Sequence, residues 1–521
     1  LRPLFFDSTG TEFRVGTSGA GRILQSGGTV RQAAAGASYF GGAGNTGRYE
    51  MTGGLLDLGS PSFGNGGTGI MDQQGGDVLL HRDLRMGRSG GTGYYTVADG
   101  TLTVLNDGGN DGQLYVGMEA NSAGYFTQDG GIVDVKGPVT VSNNGTATGQ
   151  YDLNAGELRT DLIRTNGGTA SFLWSGGTIR PRAADLSVTM PLTLDGNAAV
   201  FNTEQADATP RTITVSSAID QSGGDCGLTK VGAGTLRLNT ANTYAGGTTI
   251  FAGTVLLGNN SALGSVTVTL AGDCELDITG ARALANAIAI DPGVTVTATT
   301  HPNMTFRLDG PLSGSGILQT GSTSGQYTLQ LGGNNDAFTG TVRVRQYAGL
   351  RIWEGQSAPA NGTLEVLDGG TAYLNKNASG VTYSVGTLIG QSGSIVQGMD
   401  NNVPRTLAVG EGDFAGSIRD NAGTVALTKT GPGTLVLSGA NTYTGTTTIN
   451  SGVLNIRHND ALGSTAGETT VGNFQNGMAL ELQGGVTVSG ESLWLVGTGI
   501  SGGGVLRSVS GNNEWAGPVT A

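Results

Sequence analysis

The sequence lacks the long apolar runs of helical membrane proteins and the many cysteines of disulfide-rich domains. Among its 521 residues are two cysteines and 13 prolines, and only 13% are charged, which is about half the usual share. No apolar run reaches the roughly 18 residues that a membrane-spanning helix needs, and nothing at Leu1 resembles a signal peptide. A membrane-spanning helix is therefore not expected. The chain stops at "WAGPVTA", within a repeat, so we expect that a longer precursor was processed or that this sequence is part of one.

Positive charge is also scarce. Lys and Arg total 27 against 40 Asp and Glu, for a net charge of −13, and the basic residues are scattered along the sequence. Because a phosphate backbone is bound by clustered Lys and Arg, this balance argues against a nucleic-acid partner.

The two cysteines, Cys226 and Cys274, lie 48 positions apart. If that interval spans two turns of a stacked coil, the two residues are separated by about 9–10 Å, beyond the reach of a disulfide. A disulfide would require the interval to be one long turn, and otherwise the two residues are small, buried and apolar. The sequence leaves both alternatives open.

Glycine and short alternating segments are abundant instead. The chain contains 95 glycines, and its first third repeats one pattern: an aromatic or apolar residue, a glycine turn, then alternating apolar residues, as in "YEMTGGLLDL" at Tyr49. The closing glycines of these turns are separated by 21 to 31 positions and are Gly28, Gly54, Gly76, Gly100, Gly131, Gly156 and Gly177. A mean period near 25 residues is typical of a solenoid. No segment shows a convincing helical period, and we interpret "ARALANAIAI" at Ala281 as strand.

Short strands, glycine turns and this period predict an all-β fold, a parallel β-helix of about 20 coils. Successive coils would stack about 4.8 Å apart, giving an elongated rod of roughly 100 Å. Leu, Val and Ile would face a narrow core, Thr, Ser, Asn and Asp would face water, and glycine would occupy corners that need a positive φ.

One longer segment occurs twice. "LTKVGAGTLRLNTANTYAGGTTIFAGTVLL" at Leu228 aligns without a gap with "LTKTGPGTLVLSGANTYTGTTTINSGVLNI" at Leu427. The copies extend over 228–264 and 427–463 and match at 21 of 37 positions, at an offset of 199 residues. Their shared elements are "LTKxGxGTLxL", "ANTYxGxTTI" and "GxxxxxxNxALG".

These elements resemble the autotransporter-associated β-strand repeat family. The resemblance implies a secreted, surface-displayed passenger region with a right-handed parallel β-helix, often an adhesin or a stalk. The motif residues to which we assign a structural role are Lys230, Gly232, Gly234, Asn242, Tyr244 and Gly246 in copy one, and Lys429, Gly431, Gly433, Asn441, Tyr443 and Gly445 in copy two.

Two weaker copies keep only an Asn or Asp, an aromatic residue and a glycine at alternate positions. One, near 332–344, retains Phe338 and Gly340, and the other, near 504–521, retains Trp515 and Gly517. The aromatic residue is interpreted as filling the corner, with a carbohydrate-stacking platform as the alternative.

From the two kinds of repeat we divide the chain into a β-helix of about 25-residue repeats over 1–180, an irregular transition over 181–223, and a β-helix with the longer repeats over 224–521.

The search for reactive groups yields weak candidates, and we assign no catalytic, cofactor or metal residue. Four carboxylates follow glycine turns and would lie on one face: Asp57, Asp77, Asp134 and Glu157. An ordinary solvent-exposed face predicts the same arrangement equally well. The three histidines, His81, His301 and His458, are far apart in sequence and show no partners. "NDGGNDGQ" faintly resembles a calcium-binding repeat, with Asp107 and Asp111 as ligands, but only one copy exists.

Three functional hypotheses follow. The first is a non-enzymatic structural rod, extracellular or at a bacterial surface, that self-associates into a fibre or coat or attaches to the cell envelope. The second is an adhesin that binds glycans or surfaces through insertions in the irregular segments 181–223 and 353–404. The third is a polysaccharide-degrading enzyme, which would require two close carboxylates in a cleft.

Overall fold

The structure is a computed structural model and describes residues 5–8, 12–32, 34–107, 112–196, 199–302, 304–321, 328–353, 358–375, 380–399, 403–472 and 477–521. It divides into two compact units, Leu1–Val266 and Thr267–Ala521. The described residues contain no helix long and apolar enough to cross a membrane.

The first unit consists of 31 short strands in its described residues. In chain order they are β1 (Phe5–Ser8), β2 (Glu12–Val15), β3 (Gly21–Gln25), β4 (Thr29–Gln32), β5 (Ala37–Gly42), β6 (Thr46–Met51), β7 (Leu55–Leu58), β8 (Ser60–Asn65), β9 (Thr68–Gln73), β10 (Asp77–Leu80), β11 (Leu84–Arg88), β12 (Thr92–Val97), β13 (Thr101–Val104), β14 (Leu114–Val116), β15 (Ala123–Gln128), β16 (Ile132–Val135), β17 (Val139–Val141), β18 (Thr148–Leu153), β19 (Glu157–Arg159), β20 (Leu162–Arg164), β21 (Thr169–Trp174), β22 (Thr178–Arg180), β23 (Leu186–Val188), β24 (Leu192–Leu194), β25 (Ala199–Asn202), β26 (Thr212–Val215), β27 (Ile219–Gln221), β28 (Leu228–Val231), β29 (Thr235–Leu238), β30 (Thr248–Ile250) and β31 (Gly253–Leu257).

Up to β27, each turn of this unit adds one strand to each of three parallel sheets, whereas β28 to β31 add strands to the first two sheets only. The first sheet begins β1-β4-β7-β10, the second contains β2, β5, β8 and β11, and the third runs from β3 through β6 and β9 to β27. Strand pairing is parallel throughout, as where β12 lies between β9 and β15. The predicted all-β parallel solenoid is therefore confirmed. Residues 181–223, which we expected to be irregular, contain five strands, β23 to β27, that continue all three ladders.

The core of the first unit lies between the three sheets. Inward residues alternate with outward ones along each strand, and the third sheet stacks aromatic rings from consecutive turns. The rings of Tyr95 and Phe126 are 5.2 Å apart, those of Phe126 and Tyr151 are 4.8 Å apart, and those of Tyr151 and Phe172 are 4.8 Å apart, all nearly parallel. Parallel in-register pairing thus converts an aromatic residue per repeat into a continuous buried column.

Buried glutamines supply a feature that the sequence reasoning missed. Gln73 is fully buried, its Nε2 donates to the carbonyls of Gly76 at 2.9 Å and Thr101 at 3.1 Å, and its Oε1 accepts from the hydroxyl of Tyr95 at 3.1 Å. The same arrangement recurs where Gln25 accepts from Tyr49 at 2.6 Å, and where Gln128 accepts from Tyr151 at 2.8 Å. The glutamines satisfy corner carbonyls that would otherwise be buried without a partner. The signal was present in the sequence as a Gln three positions before the closing glycine in the first, third and fifth repeats.

The seven predicted turn glycines all adopt a positive φ, between 61° and 90°. Gly100 shows why the position excludes other residues: its φ is 85°, and an added Cβ would lie 1.9 Å from the carbonyl oxygen of Gly76 in the turn below. Both the backbone conformation and the close stacking of turns therefore require glycine there.

The second unit contains 28 strands and one three-residue 3-10 turn, Ile500–Gly502, in its described residues. The strands are β32 (Val268–Leu270), β33 (Cys274–Ile278), β34 (Arg282–Leu284), β35 (Ile288–Ile290), β36 (Thr295–Ala298), β37 (Phe306–Leu308), β38 (Leu312–Gly314), β39 (Ile317–Thr320), β40 (Thr328–Leu331), β41 (Thr341–Val344), β42 (Gly349–Ile352), β43 (Thr363–Val366), β44 (Thr371–Asn375), β45 (Val381–Gly390), β46 (Ile395–Met399), β47 (Arg405–Phe414), β48 (Ser417–Arg419), β49 (Val425–Lys429), β50 (Thr434–Leu437), β51 (Thr447–Ile449), β52 (Gly452–Ile456), β53 (Glu468–Val471), β54 (Met478–Gln483), β55 (Thr487–Ser489), β56 (Ser492–Leu495), β57 (Leu506–Ser510), β58 (Glu514–Ala516) and β59 (Val519–Thr520).

The second unit is also built from stacked parallel strands. One of its sheets has seven strands in the order β34-β37-β40-β42-β44-β46-β48, and the long strands β45 and β47 pair along nine positions. The segment "ARALANAIAI" forms β34 and β35, as predicted. Segment 353–404, where we expected irregular insertions, contributes the strands β43 to β46.

Candidate functional site

The motif of the long repeats forms a corner that replaces the third strand of a turn. In copy one, Asn242 is buried; its Oδ1 accepts from the amide of Ile219 at 2.9 Å, and its Nδ2 donates to the carbonyl of Ala262 at 2.5 Å. Asn441 makes the same two bonds in copy two, at 2.8 and 2.6 Å. One side chain therefore joins three successive turns at a point where no sheet pairs them.

The aromatic residue of the motif lies inside this corner. Tyr244, Tyr443 and Phe338 are completely buried, so these rings are not exposed to a sugar. The hydroxyl of Tyr244 bonds to Oγ1 of Thr248 at 2.7 Å, and that of Tyr443 bonds to Oγ1 of Thr447 at 2.7 Å. Burial raises the pKa of both tyrosines, despite these hydroxyl contacts.

The two weak copies depart from the prediction in different ways. Near 332–344 the residue that bridges turns is Asn335, whose Oδ1 accepts from the amide of Leu312 at 2.8 Å, rather than Asp336, which is exposed. It lies three positions before Phe338, whereas the strong copies have a spacing of two. Near the end of the chain, Trp515 is half-buried within β58, which pairs with β55, so it lies in a strand and not in a corner.

The motif lysines are buried cations. Lys230 is fully buried, and its Nζ donates to Thr203 Oγ1 at 2.9 Å, to the Gly232 carbonyl at 2.6 Å and to the Ala252 carbonyl at 2.7 Å. Lys429 is buried in the same way. A buried ammonium is tolerated only when such acceptors surround it, which ties the turn of the lysine to its neighbours.

Lys429 illustrates the electrostatic cost of this arrangement. Its Nζ donates to the carbonyls of Gly431 and Ser451. Burial lowers the pKa of Lys429 to about 8, and the negative charge of Glu411 opposes that shift. Desolvation thus outweighs the nearby carboxylate.

The motif glycines act mostly through close packing. Gly232 has a φ of 83°, as our reasoning about corners expected. At the other seven an added Cβ would lie 1.9 to 2.8 Å from an atom of the preceding turn, with φ outside the left-handed region: Gly234, Gly246, Gly340, Gly431, Gly433, Gly445 and Gly517. At these positions the lack of a side chain lets turns approach, and backbone freedom is not the reason for glycine.

The prediction that the histidines lack partners was wrong. His81 Nε2 lies 2.8 Å from Asp57 Oδ1, and its Nδ1 lies 2.8 Å from Asp107 Oδ2. Burial opposes protonation of His81, but the bonds to Asp107 and Asp57 outweigh it and raise its pKa. His301 also contacts a carboxylate, that of Asp277, at 2.6 Å. Asp111, the other proposed calcium ligand, lies outside the described residues, in which no group of three or more metal-ligating side chains occurs.

Most of the candidate carboxylates are engaged in ion pairs. Asp57 accepts from Arg31 Nε at 2.8 Å, Asp134 pairs with Arg182, and Glu157 pairs with two arginines, whereas Asp77 is exposed. The arrangement therefore neutralises charge along the outward face of the first sheet.

Both cysteines are buried thiols and neither forms a disulfide, which settles the alternative left open above.

A pocket of about 250 Å³ in the second unit is lined by polar groups that include Asn459, Ser489 and Glu491. Burial raises the pKa of Glu491, although its Oε1 accepts from Thr469 Oγ1 at 2.7 Å.

The outward face of the seven-stranded sheet β34-β37-β40-β42-β44-β46-β48 differs from the rest of the molecule. Its strands contain four arginines and no Lys, Asp or Glu, in a chain of net charge −13. Parallel register places six outward side chains in one line across the sheet: Arg307, Gln330, Arg351, Tyr373, Gln397 and Arg419. We call this line the arginine column.

Stacked parallel turns, with corners built on a duplicated Asn-x-Tyr-x-Gly element, define a parallel β-solenoid. Two segments of the chain, residues 228–257 and 427–456, match the family model of the passenger-associated-transport-repeat. The chain is also similar to Adhesin BmaC autotransporter of Brucella suis biovar 1 (strain 1330), at 31% identity over 277 residues. That alignment covers 46% of this chain and 7% of the relative, so the chain spans a small fraction of the relative's length.

Proposed function

We propose that this chain is a non-enzymatic, surface-displayed or secreted passenger segment that acts as an adhesin. The observation that carries the proposal is the duplicated passenger repeat, together with similarity to a protein named as an autotransporter adhesin. The structure adds a scaffold in which motif side chains hold the turns together and leave outward sheet faces available for contact.

A non-enzymatic role is supported by the state of the candidate carboxylates. Asp57, Asp134 and Glu157 are paired with arginines, and their strands present them on an outward sheet face. Incubation with a broad panel of polysaccharides should release no reducing sugar. Release of reducing sugar that is lost on substitution of one of these carboxylates would contradict the proposal.

Adhesion is tested directly with the purified chain immobilised on beads. We expect the beads to bind cultured epithelial cells or extracellular matrix above the level of beads that carry a β-solenoid enzyme of similar size and net charge. Equal binding by the two kinds of bead would refute the adhesin assignment.

A structural role is the second candidate function, favoured by the buried bonds that tie successive turns. Self-association into a fibre or coat stays a prediction from the sequence. Electron microscopy at high protein concentration should show ordered end-to-end assemblies, and isolated particles alone would count against it.

A further inference from the structure

We propose that the arginine column binds an acidic polysaccharide, one that carries carboxylate or sulfate groups along a chain of sugar rings. This inference rests on the proposed adhesive function and specifies its ligand class. It starts from the contrast between the column and the outward face of the first sheet in the other unit, where arginines are matched by carboxylates.

The guanidinium groups of the column are only partly compensated. Arg307 pairs with Asp309, with its Nη2 2.9 Å from Oδ1. Arg419 Nε donates to an amide oxygen, that of Gln397, at 2.6 Å, and Arg351 Nε is buried and has no hydrogen-bond partner among the described residues. Planar guanidinium donors match carboxylate and sulfate oxygens in pairs, so an anionic ligand would contact the half-exposed guanidinium of Arg351 and the exposed guanidinium of Arg419.

The spacing of the charges suits an extended ligand. Like charges directly opposite on neighbouring strands repel each other, and here neutral side chains at Gln330, Tyr373 and Gln397 separate the arginines. At about 4.8 Å per strand, Arg351 lies roughly 10 Å from Arg307 and roughly 14 Å from Arg419 along the column. A flexible chain with repeated anionic groups can contact all three, whereas a single small anion cannot.

Aromatic groups beside the arginines favour a carbohydrate over other polyanions. Trp353 is 37% exposed and lies under the guanidinium of Arg307, whose Cζ is 5.5 Å from the ring centroid. Tyr373 lies on the column itself, in register with Arg351. The apolar faces of such rings pack against the C–H faces of sugars.

The test measures binding of the full chain to immobilised heparin and to immobilised polygalacturonate. Dextran is the neutral comparison, and poly-glutamate and duplex DNA are polyanions that contain no acidic sugar rings. We expect binding to an acidic polysaccharide, none to dextran, and weaker binding at higher salt because exposed charges are screened. The variant R351Q/R419Q should bind at least ten-fold more weakly.

The matched control is R343Q/R507Q, which removes the same charge from the same unit at arginines paired with Glu365 and Glu481. It should bind within about two-fold of the unmodified chain, and circular dichroism should show that both variants are folded. R351K/R419K retains the charge but not the paired donors, and we expect an intermediate loss.

Three outcomes would overturn the inference: no binding to either acidic polysaccharide, an equal loss in the control variant, or equally tight binding to poly-glutamate or DNA. The bead assay separates this inference from the proposed function. If beads adhere to cells equally with R351Q/R419Q, the adhesin assignment stands and the column is not its site. If the column binds heparin but no bead adheres, the binding site stands and the adhesin assignment falls.

Discussion

Asn441 offers the sharpest test of how the repeat corner is held together. It is buried, accepts from the amide of Ile418 at 2.8 Å and donates to the carbonyl of Ala461 at 2.6 Å. The substitution Asn441→Ala leaves both backbone groups without partners, and each buried unsatisfied group costs about 1–3 kcal/mol. The expected loss of local stability is therefore about 2–6 kcal/mol, equivalent to about thirty-fold or more in the opening equilibrium.

Native-state hydrogen exchange measured by mass spectrometry can detect this loss, because stacked repeats open locally. Peptides that contain Ile418 and Ala461 should exchange at least about thirty-fold faster in Asn441→Ala. The control is Asn450→Ala, at an exposed position of the same copy, where a change within about 0.5 kcal/mol is expected. Equal exchange in the two variants would refute the conclusion that this side chain joins the turns.

Three further predictions test buried polar groups. Tyr151→Phe leaves Gln128 Oε1 without its donor and should destabilise the first unit by about 1–3 kcal/mol in urea unfolding, whereas Tyr94→Phe, at an exposed ring, should have little effect. His81→Gln should lower the free energy of unfolding most at low pH. The raised pKa of His81 gives stability that is present below about pH 6.5 and is lost as the pH rises through the folded-state pKa. A loss of stability that does not vary between pH 5 and 9 would contradict this. Glu491→Gln should stabilise the second unit near neutral pH, since the raised pKa of Glu491 means that ionisation opposes folding as the pH rises, and a lower unfolding midpoint at pH 7 would argue against it.

Much of the fold could be predicted because its causes are local. The seven turn glycines recur at a nearly constant interval, and each has the positive φ expected of it. Strand alternation identified the inward face, and the duplicated motif identified Asn242 and Tyr244 in one copy and their counterparts 199 positions later. Local conformation and the periodicity of apolar residues are properties of short segments, so a single sequence contains them.

The errors arose where the number of residues per turn varies. Segments 181–223 and 353–404 break the period, yet both contain strands that pair in register with adjacent turns, because corner loops absorb the difference in length. In the same way, Asn335 bridges turns from a position shifted by one relative to the strong copies. Hydrogen bonding across the corner, and not spacing in the sequence, selects that residue.

The amino-acid sequence by itself determined that this protein is a solenoid of stacked parallel β-strands. Turn glycines, the alternation of apolar and polar residues, and the repeated corner motif all act within one turn of the solenoid at a time. Only the tertiary structure decided which outward side chains from different turns become neighbours. Arg307, Arg351 and Arg419 are 44 and 68 positions apart in sequence, and Asp57, His81 and Asp107 are 24 and 26 positions apart. Strand register aligns each set, and register depends on loop lengths and on hydrogen bonds between turns that no single repeat contains.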